Sequence, residues 1–284
     1  MKFLRFDLFI KKFFYISKNF LLSPLPLRVE LIKFLSRKFN LFGFLTQLDI
    51  ESLETPYLAY CMLNAAIQAK GLGIMSISAI EFGVCSGASL KNIEKYSKEI
   101  EKLTGVSFSI YGFDIITGLP KSSNDYKDQV YFWHQGAFKT DLDKLRNNVK
   151  TSTLVIGDIK NTVKTFFDDY APPPLGFISF DLDYYTSTLS AFEIFNFSQS
   201  NYLPRVECYM DDVSSFNELS ACKGTGVLRA IEDFNEGNNT NKKIYKKELV
   251  SQFRRYKEPW NEKIYVFHNF EHNLYNKYLG SKHI

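Results

Sequence analysis

The chain is poor in cysteine: Cys61, Cys85, Cys208 and Cys222 are scattered and form no CxxC pair. That spacing excludes a zinc knuckle and a disulfide framework, and a reducing, cytoplasmic compartment fits best. No stretch approaches the roughly 18 uncharged apolar residues that a spanning helix needs. Excess charge is also small, with 35 Lys or Arg against 31 Asp or Glu for a net +4; without a dense basic stripe, no nucleic-acid partner is expected. The opening MKFLRFDLFIKKFFYISKNFLL looks apolar, but Arg5, Asp7, Lys11 and Lys12 interrupt it and no small-residue cleavage site follows, so export is not predicted. Repeats and low-complexity tracts are absent.

Aromatic residues, by contrast, are plentiful, with 27 Phe and 17 Tyr, enough for a large core in one domain with decorations. Residues 1–50 read as a basic, aromatic helical extension: Phe, Leu and Ile alternate with Lys and Arg at helical spacing, broken by Ser23-Pro24 and Pro26 into two short amphipathic helices. The extension would either cap the main domain or lie on an anionic membrane surface, at the inner face of the membrane, or on a partner. Residues 51–284 read as the main domain. A helical pattern over Glu54–Lys70 stops at Gly71 and Gly73, residues suited to a helix C-terminus. Apolar runs then follow at Ile77–Phe82, Phe108–Phe113, Thr153–Ile156, Phe177–Phe180, Val206–Met210 and Ile264–Phe267, most of them separated by helical segments or loops. This rhythm predicts an α/β, Rossmann-like, doubly wound and mostly parallel sheet of seven strands. The polar stretch Asn235–Lys243 is predicted to be a surface loop.

The first strand runs into Glu81-Phe82-Gly83-Val84-Cys85-Ser86-Gly87, and Ala88-Ser89-Leu90 opens a helix. Gly83 and Gly87 permit a tight turn and close ligand approach, and the helix start offers free N–H groups, Ser89 among its first residues. The spacing departs from G-x-G-x-x-G. Glu81 ahead of the turn would repel a pyrophosphate yet suit the cationic sulfonium and amino group of S-adenosylmethionine. The second strand ends at Asp114, where a carboxylate can accept from ribose hydroxyls. The third ends in Gly157-Asp158; Asp158 can reach an adenine amino group or, equally well, cap the next helix.

Two acidic pairs come next: Asp181-Leu182-Asp183 after the fourth strand and Asp211-Asp212 after the fifth. In a doubly wound sheet both lie at the carboxyl edge, where ligands bind. Four converging carboxylates repel one another unless a cation or proton intervenes, and an all-oxygen set suits Mg²⁺, Mn²⁺ or Ca²⁺.

With these motifs, AIEFGVCSGASL, YGFDIITGLP, LVIGDI, FISFDLDYYTST and ECYMDD, the segment Leu53–Phe270 resembles the metal-dependent sugar O-methyltransferases typified by the macrocin and aminocoumarin enzymes, a branch of the class I S-adenosylmethionine-dependent methyltransferases. The resemblance implies Asp181, Asp211 and Asp212 as ligands of Mg²⁺ or Mn²⁺, with Asp181 also beside the cofactor, and Asp183 as general base. It implies a small sugar or glycoconjugate acceptor, as in polysaccharide biosynthesis. The chain departs from the family at Cys85-Ser86, in Gly118–Lys139 and in its basic extension. His134, in an aromatic segment with Phe132 and Trp133, is an alternative base or substrate contact; His268 and His272 read as core or surface residues. Competing readings are a metal-independent methyltransferase, a non-catalytic scaffold docked on a membrane-associated assembly, and a non-haem iron hydroxylase. The last lacks any H-x-D or H-x-E arrangement. Self-association stays open.

Overall fold

The computed structural model describes residues 26–121, 125–213, 222–237 and 241–280. The chain divides into two compact units, Met1–Pro56 and Tyr57–Ile284. The first stretch of the expected extension, up to Leu25, lies outside the described residues. Within the first unit, helix α1 (Leu27–Phe39) starts directly after Pro26, and a short helix α2 (Phe44–Asp49) follows. Arg37 ties α1 to the end of the unit, its guanidinium donating to the carbonyls of Glu51 and Ser52 at 3.0 and 3.1 Å.

Helix α3 (Pro56–Leu72) leads to the sheet, and proline at its first position costs no hydrogen bond because that N–H has no intrahelical acceptor. The strands are β1 (Ser76–Phe82), β2 (Ser107–Asp114), β3 (Thr153–Ile156), β4 (Leu175–Phe180), β5 (Tyr202–Met210), β6 (Lys242–Lys246) and β7 (Ile264–Asn269), joined into one sheet in the order β3-β2-β1-β4-β5-β7-β6. Strands β1 to β5 are parallel, and β7 enters antiparallel between β5 and β6. The expected mostly parallel, seven-stranded α/β sheet is therefore what forms.

The connecting helices are α4 (Ala88–Thr104), α5 (Leu142–Asn148), α6 (Ile159–Tyr170), α7 (Tyr185–Phe192) and α8 (Gly226–Gly237). Phenylalanine fills the core around the central strands. Phe82 meets Phe113 at 4.7 Å and Phe180 at 5.4 Å between ring centroids, Phe180 meets Phe192 at 5.2 Å, and Phe195 stacks on Phe267 at 3.9 Å. Each such ring contributes about 1.5–3 kcal/mol on burial. The sheet order reverses between β1 and β4, so the loops leaving those two strands part and open a crevice at their carboxyl ends.

The polar stretch 235–243 departs from expectation. Asn235 to Gly237 close helix α8, and Lys242 and Lys243 open β6. In Lys-Lys-Ile-Tyr-Lys only Ile244 is buried, so no alternating apolar pattern marks this strand; its lysines suit a sheet edge, where charge discourages pairing with another chain.

Candidate functional site

The turn after β1 and the end of β4 meet at this crevice. Asp181 N–H donates to the carbonyl of Phe82 at 3.0 Å, and Gly83 N–H to that of Phe113 at 2.9 Å. Gly83 has φ +84°, and a Cβ there would fall 1.7 Å from the carbonyl oxygen of Asp181, so only glycine fits. Cys85 is also left-handed, at φ 47°. Its N–H donates to Asp114 Oδ2 at 2.7 Å, and Ile116 N–H donates to Asp114 Oδ1 at 2.5 Å. Asp114 thus braces the turn after its own strand and the turn after β1, keeping further lone pairs on both oxygens.

A cavity of about 730 Å³ opens beside this turn. Gly83, Asp114, Gly157, Asp158, Asp181, Asp183, Asp211 and Asp212, all expected at the site, line it. Asp158 also caps α6, accepting from Lys160 N–H at 2.9 Å, so capping and cavity lining coexist in one side chain. One carboxylate oxygen from each of Asp181, Asp211 and Asp212 lies within 4.8 Å of the others. Asp212 Oδ2 accepts the N–H groups of Leu182 at 3.2 Å and Asp183 at 2.9 Å, which welds the two acidic strand ends together. Asp183 itself is left-handed, at φ 58°, a conformation that costs about 1–3 kcal/mol in a non-glycine residue and survives here because Asp212 holds its N–H.

The electrostatics are those of crowded anions. Two carboxylates at such separations repel by about 3 kcal/mol at an effective dielectric of about 20. Burial, then Asp212 and Asp211, pushes the Asp183 carboxyl up to about 8. Burial also raises Asp212 to about 6 despite its two backbone donors, with Asp211 adding repulsion. Asp181, the exposed member of the three, is raised too, by loss of hydration first and then by the charges of Asp212, Asp211 and Asp183. A hard cation on these oxygens would relieve the repulsion, and the all-carboxylate set fits Mg²⁺ or Mn²⁺.

Other expected residues stand elsewhere. Glu81 is fully buried and outside the cavity lining. The Ser89 hydroxyl bonds it, its Oε2 has no partner among the described residues, and burial with the Asp114 charge raises its carboxyl to about 8. Gly87, at φ +80°, packs under Leu145 and Val149, and neither it nor Ser89 lines the cavity. The structure does not bring His134 in: it is exposed, because the turn closed by Ala137 N–H on its carbonyl points it outward and leaves the cavity side to Trp133.

Several contributors carry no local sequence signal. Trp133 and Phe138 form an aromatic wall, with ring centroids 5.5 Å apart. Lys263 donates to the Asp211 carbonyl at 2.6 Å and to its Oδ1 at 3.1 Å, and Tyr209 OH donates to the same Oδ1 at 2.9 Å. Tyr57 stacks on Tyr209 at 4.1 Å. Thr186 is fixed by buried Asp128, which accepts its N–H at 2.8 Å and its hydroxyl at 3.1 Å.

No family model matches the chain, and no curated protein matches it. Among solved structures, the calicheamicin methyltransferase CalS11 is similar to it with a TM-score of 0.51 at 20% identity, with 90% of each chain covered. The O-methyltransferase NovP is similar with a TM-score of 0.51 at 12% identity, covering 75% of this chain and 80% of that one. At these identities the likeness establishes the fold, the α/β Rossmann-like fold of the class I methyltransferases.

Proposed function

We propose that the protein is an S-adenosylmethionine-dependent methyltransferase that acts, with Mg²⁺ or Mn²⁺, on a hydroxyl of a sugar or glycoconjugate precursor. The observation that carries the proposal is the gathering of Asp181, Asp211 and Asp212 beside the Gly83 turn. The likeness to CalS11 and NovP supports methyl transfer, and the sequence motifs support a sugar acceptor.

S-adenosylmethionine supplies the methyl group, carried on a sulfonium. The residues present fit it: Asp114 has lone pairs for ribose hydroxyls, Gly157 leaves room for a ring, and Asp158 keeps a free oxygen for an amino group. Asp181, Asp211 and Asp212 would hold the cation, whose charge lowers the pKa of an adjacent acceptor hydroxyl. Asp183, which lines the cavity beside these three carboxylates, would take the hydroxyl proton as general base. Trp133 and Phe138 keep water from the reacting atoms and hold the acceptor in line, the source of most remaining acceleration.

One observation favours a metal-independent variant of this chemistry: the Lys263 ammonium already rests on Asp211. Excess chelator separates the two. Loss of turnover supports the cation, and full turnover supports Lys263. The test of the activity itself is mass spectrometry of nucleotide-sugar and glycolipid pools from cells with and without the protein. A gain of one methylene in one species names the acceptor. Calorimetric titration with S-adenosylmethionine that shows no binding would sink the enzyme reading and favour a scaffold.

A further inference from the structure

Helix α1 is built inside out. Its buried residues are Lys33 and Ser36, and Ser36 Oγ lies 3.0 Å from Ser52 Oγ. Most of its large apolar residues are exposed, whereas Leu35 is partly covered: Leu27, Leu31 and Phe34, spaced four and three apart on one side, are 54%, 49% and 55% exposed. Phe39 (58%), the last residue of the helix, and Leu41 (56%) beyond it are exposed as well. A helix that rests its apolar stripe on a core does the reverse, and a contiguous apolar patch of this kind marks an interaction surface.

Charge identifies the occupant. Residues 1–38 contain nine Lys or Arg and two Asp or Glu, a net +7 in a chain whose total is +4, so everything after Lys38 carries −3. Within the described part of that stretch, residues 26–38, four Lys or Arg stand against one Glu, a net +3 on the helix that exposes the apolar residues. Arg28 and Lys38 flank the stripe, and the Lys38 ammonium lies 5.8 and 5.3 Å from the ring centres of Phe34 and Phe39. Apolar side chains that insert, ringed by cations that meet anionic headgroups, are the two elements of interfacial binding. A second copy would bring the same +7 against itself. No described helix is long and apolar enough to cross a membrane, and α1, about 20 Å long at 1.5 Å per residue, has the dimensions to lie in the interface.

We infer that the α1 face, centred on Leu31 and Phe34, docks the protein on an anionic lipid bilayer, with the helix parallel to the surface. The inference is independent of the proposed activity. It is tested on the full chain by flotation with phosphatidylcholine vesicles containing about a third phosphatidylglycerol, against phosphatidylcholine alone. The chain is expected to float with the anionic vesicles at least tenfold more tightly than with the neutral ones, and added salt should weaken the binding. The double variants Leu31→Ser/Phe34→Ser and Arg28→Glu/Lys38→Glu should each weaken it at least tenfold at an unchanged melting temperature. Should either variant melt early, Phe34→Trp provides a second readout, an emission blue shift on anionic vesicles only. Absent flotation, equal binding to neutral vesicles, an unshifted emission from the Phe34→Trp variant, or wild-type behaviour of Leu31→Ser/Phe34→Ser each overturns the inference. So does a wild-type dimer in sedimentation that the double serine variant dissolves, which would assign the face to a second copy.

Discussion

Gly83 and Asp181, almost a hundred residues apart, touch through backbone: the space a Cβ would need at Gly83 holds the carbonyl oxygen of Asp181. The glycine turn and the first acid of the cluster are therefore one construction, and strain at either reaches the other.

Gly83→Ala is accordingly expected to combine a strained left-handed backbone, about 1–3 kcal/mol, with a backbone overlap that only displacement of β4's end can relieve. Denaturant unfolding should show the loss of stability, and titration of S-adenosylmethionine should show lost binding in whatever folds. A variant with wild-type stability and affinity would mean that the two loops do not touch.

Asp183→Asn is expected to lower kcat by about 10²–10⁴, the range for removing a general base, while cofactor affinity stays unchanged. Single-turnover kinetics on the acceptor found by metabolite profiling, beside calorimetry, provide the check.

Cys85 lines the cavity at the glycine turn, whereas Cys222 is exposed away from it. Saturating S-adenosylmethionine should slow iodoacetamide labelling of Cys85 and leave Cys222 unaffected. Peptide mass spectrometry reads both in one sample. Equal labelling of Cys85 with and without cofactor would remove it from the cofactor site.

Glu94 holds the chain between Asn148 and β3. Its carboxylate accepts the N–H groups of Lys150, Thr151 and Ser152 at 2.7–3.1 Å and the Ser152 hydroxyl at 2.8 Å. Burial alone would raise the Glu94 carboxyl, but these donors outweigh it and keep it below the ordinary carboxylate range. Glu94→Gln is expected to cost about 1–3 kcal/mol. Its contribution is present above the unfolded carboxyl value of about 4.3 and is lost as pH falls through the lower folded value. Urea titrations of both proteins should therefore converge in acid.

His268 works on a different pH window. Burial, with the Arg205 charge, lowers its imidazole to about 4, and Tyr275 OH lies 2.8 Å from Nδ1. An unfolded imidazole binds its proton near pH 6.5, so the unfolded chain gains the proton first. The stability His268 supports is present above about 6.5 and is lost as pH falls toward 4. His268→Gln should flatten the stability curve across this window. An unchanged slope would place the acid sensitivity in another group.

The five parallel strands were legible because each is a short apolar run ending at a chemically loaded residue: Phe82 before Gly83, Phe113 before Asp114, Ile156 before Gly157 and Asp158, Phe180 before Asp181, Met210 before Asp211. β6 was not, since one buried isoleucine among lysines leaves no period to detect. His134 drew attention through its chemistry, but the turn that orients it is visible only in three dimensions, and Trp133 takes the place beside the cavity. Lys263 reaches Asp211 across 52 residues, and nothing near Asp211 in the chain announces it.

Sequence alone determined the α/β alternation, the glycine turn after the first strand and the presence of acids at the ends of four strands, because strand period and turn chemistry are local properties. Only the tertiary structure decided which carboxylates share a cavity, that Glu81 is sealed beneath the turn, and that α1 exposes its apolar side. Those outcomes depend on strand order and on packing between residues far apart in the chain, and no local rule of backbone preference encodes them.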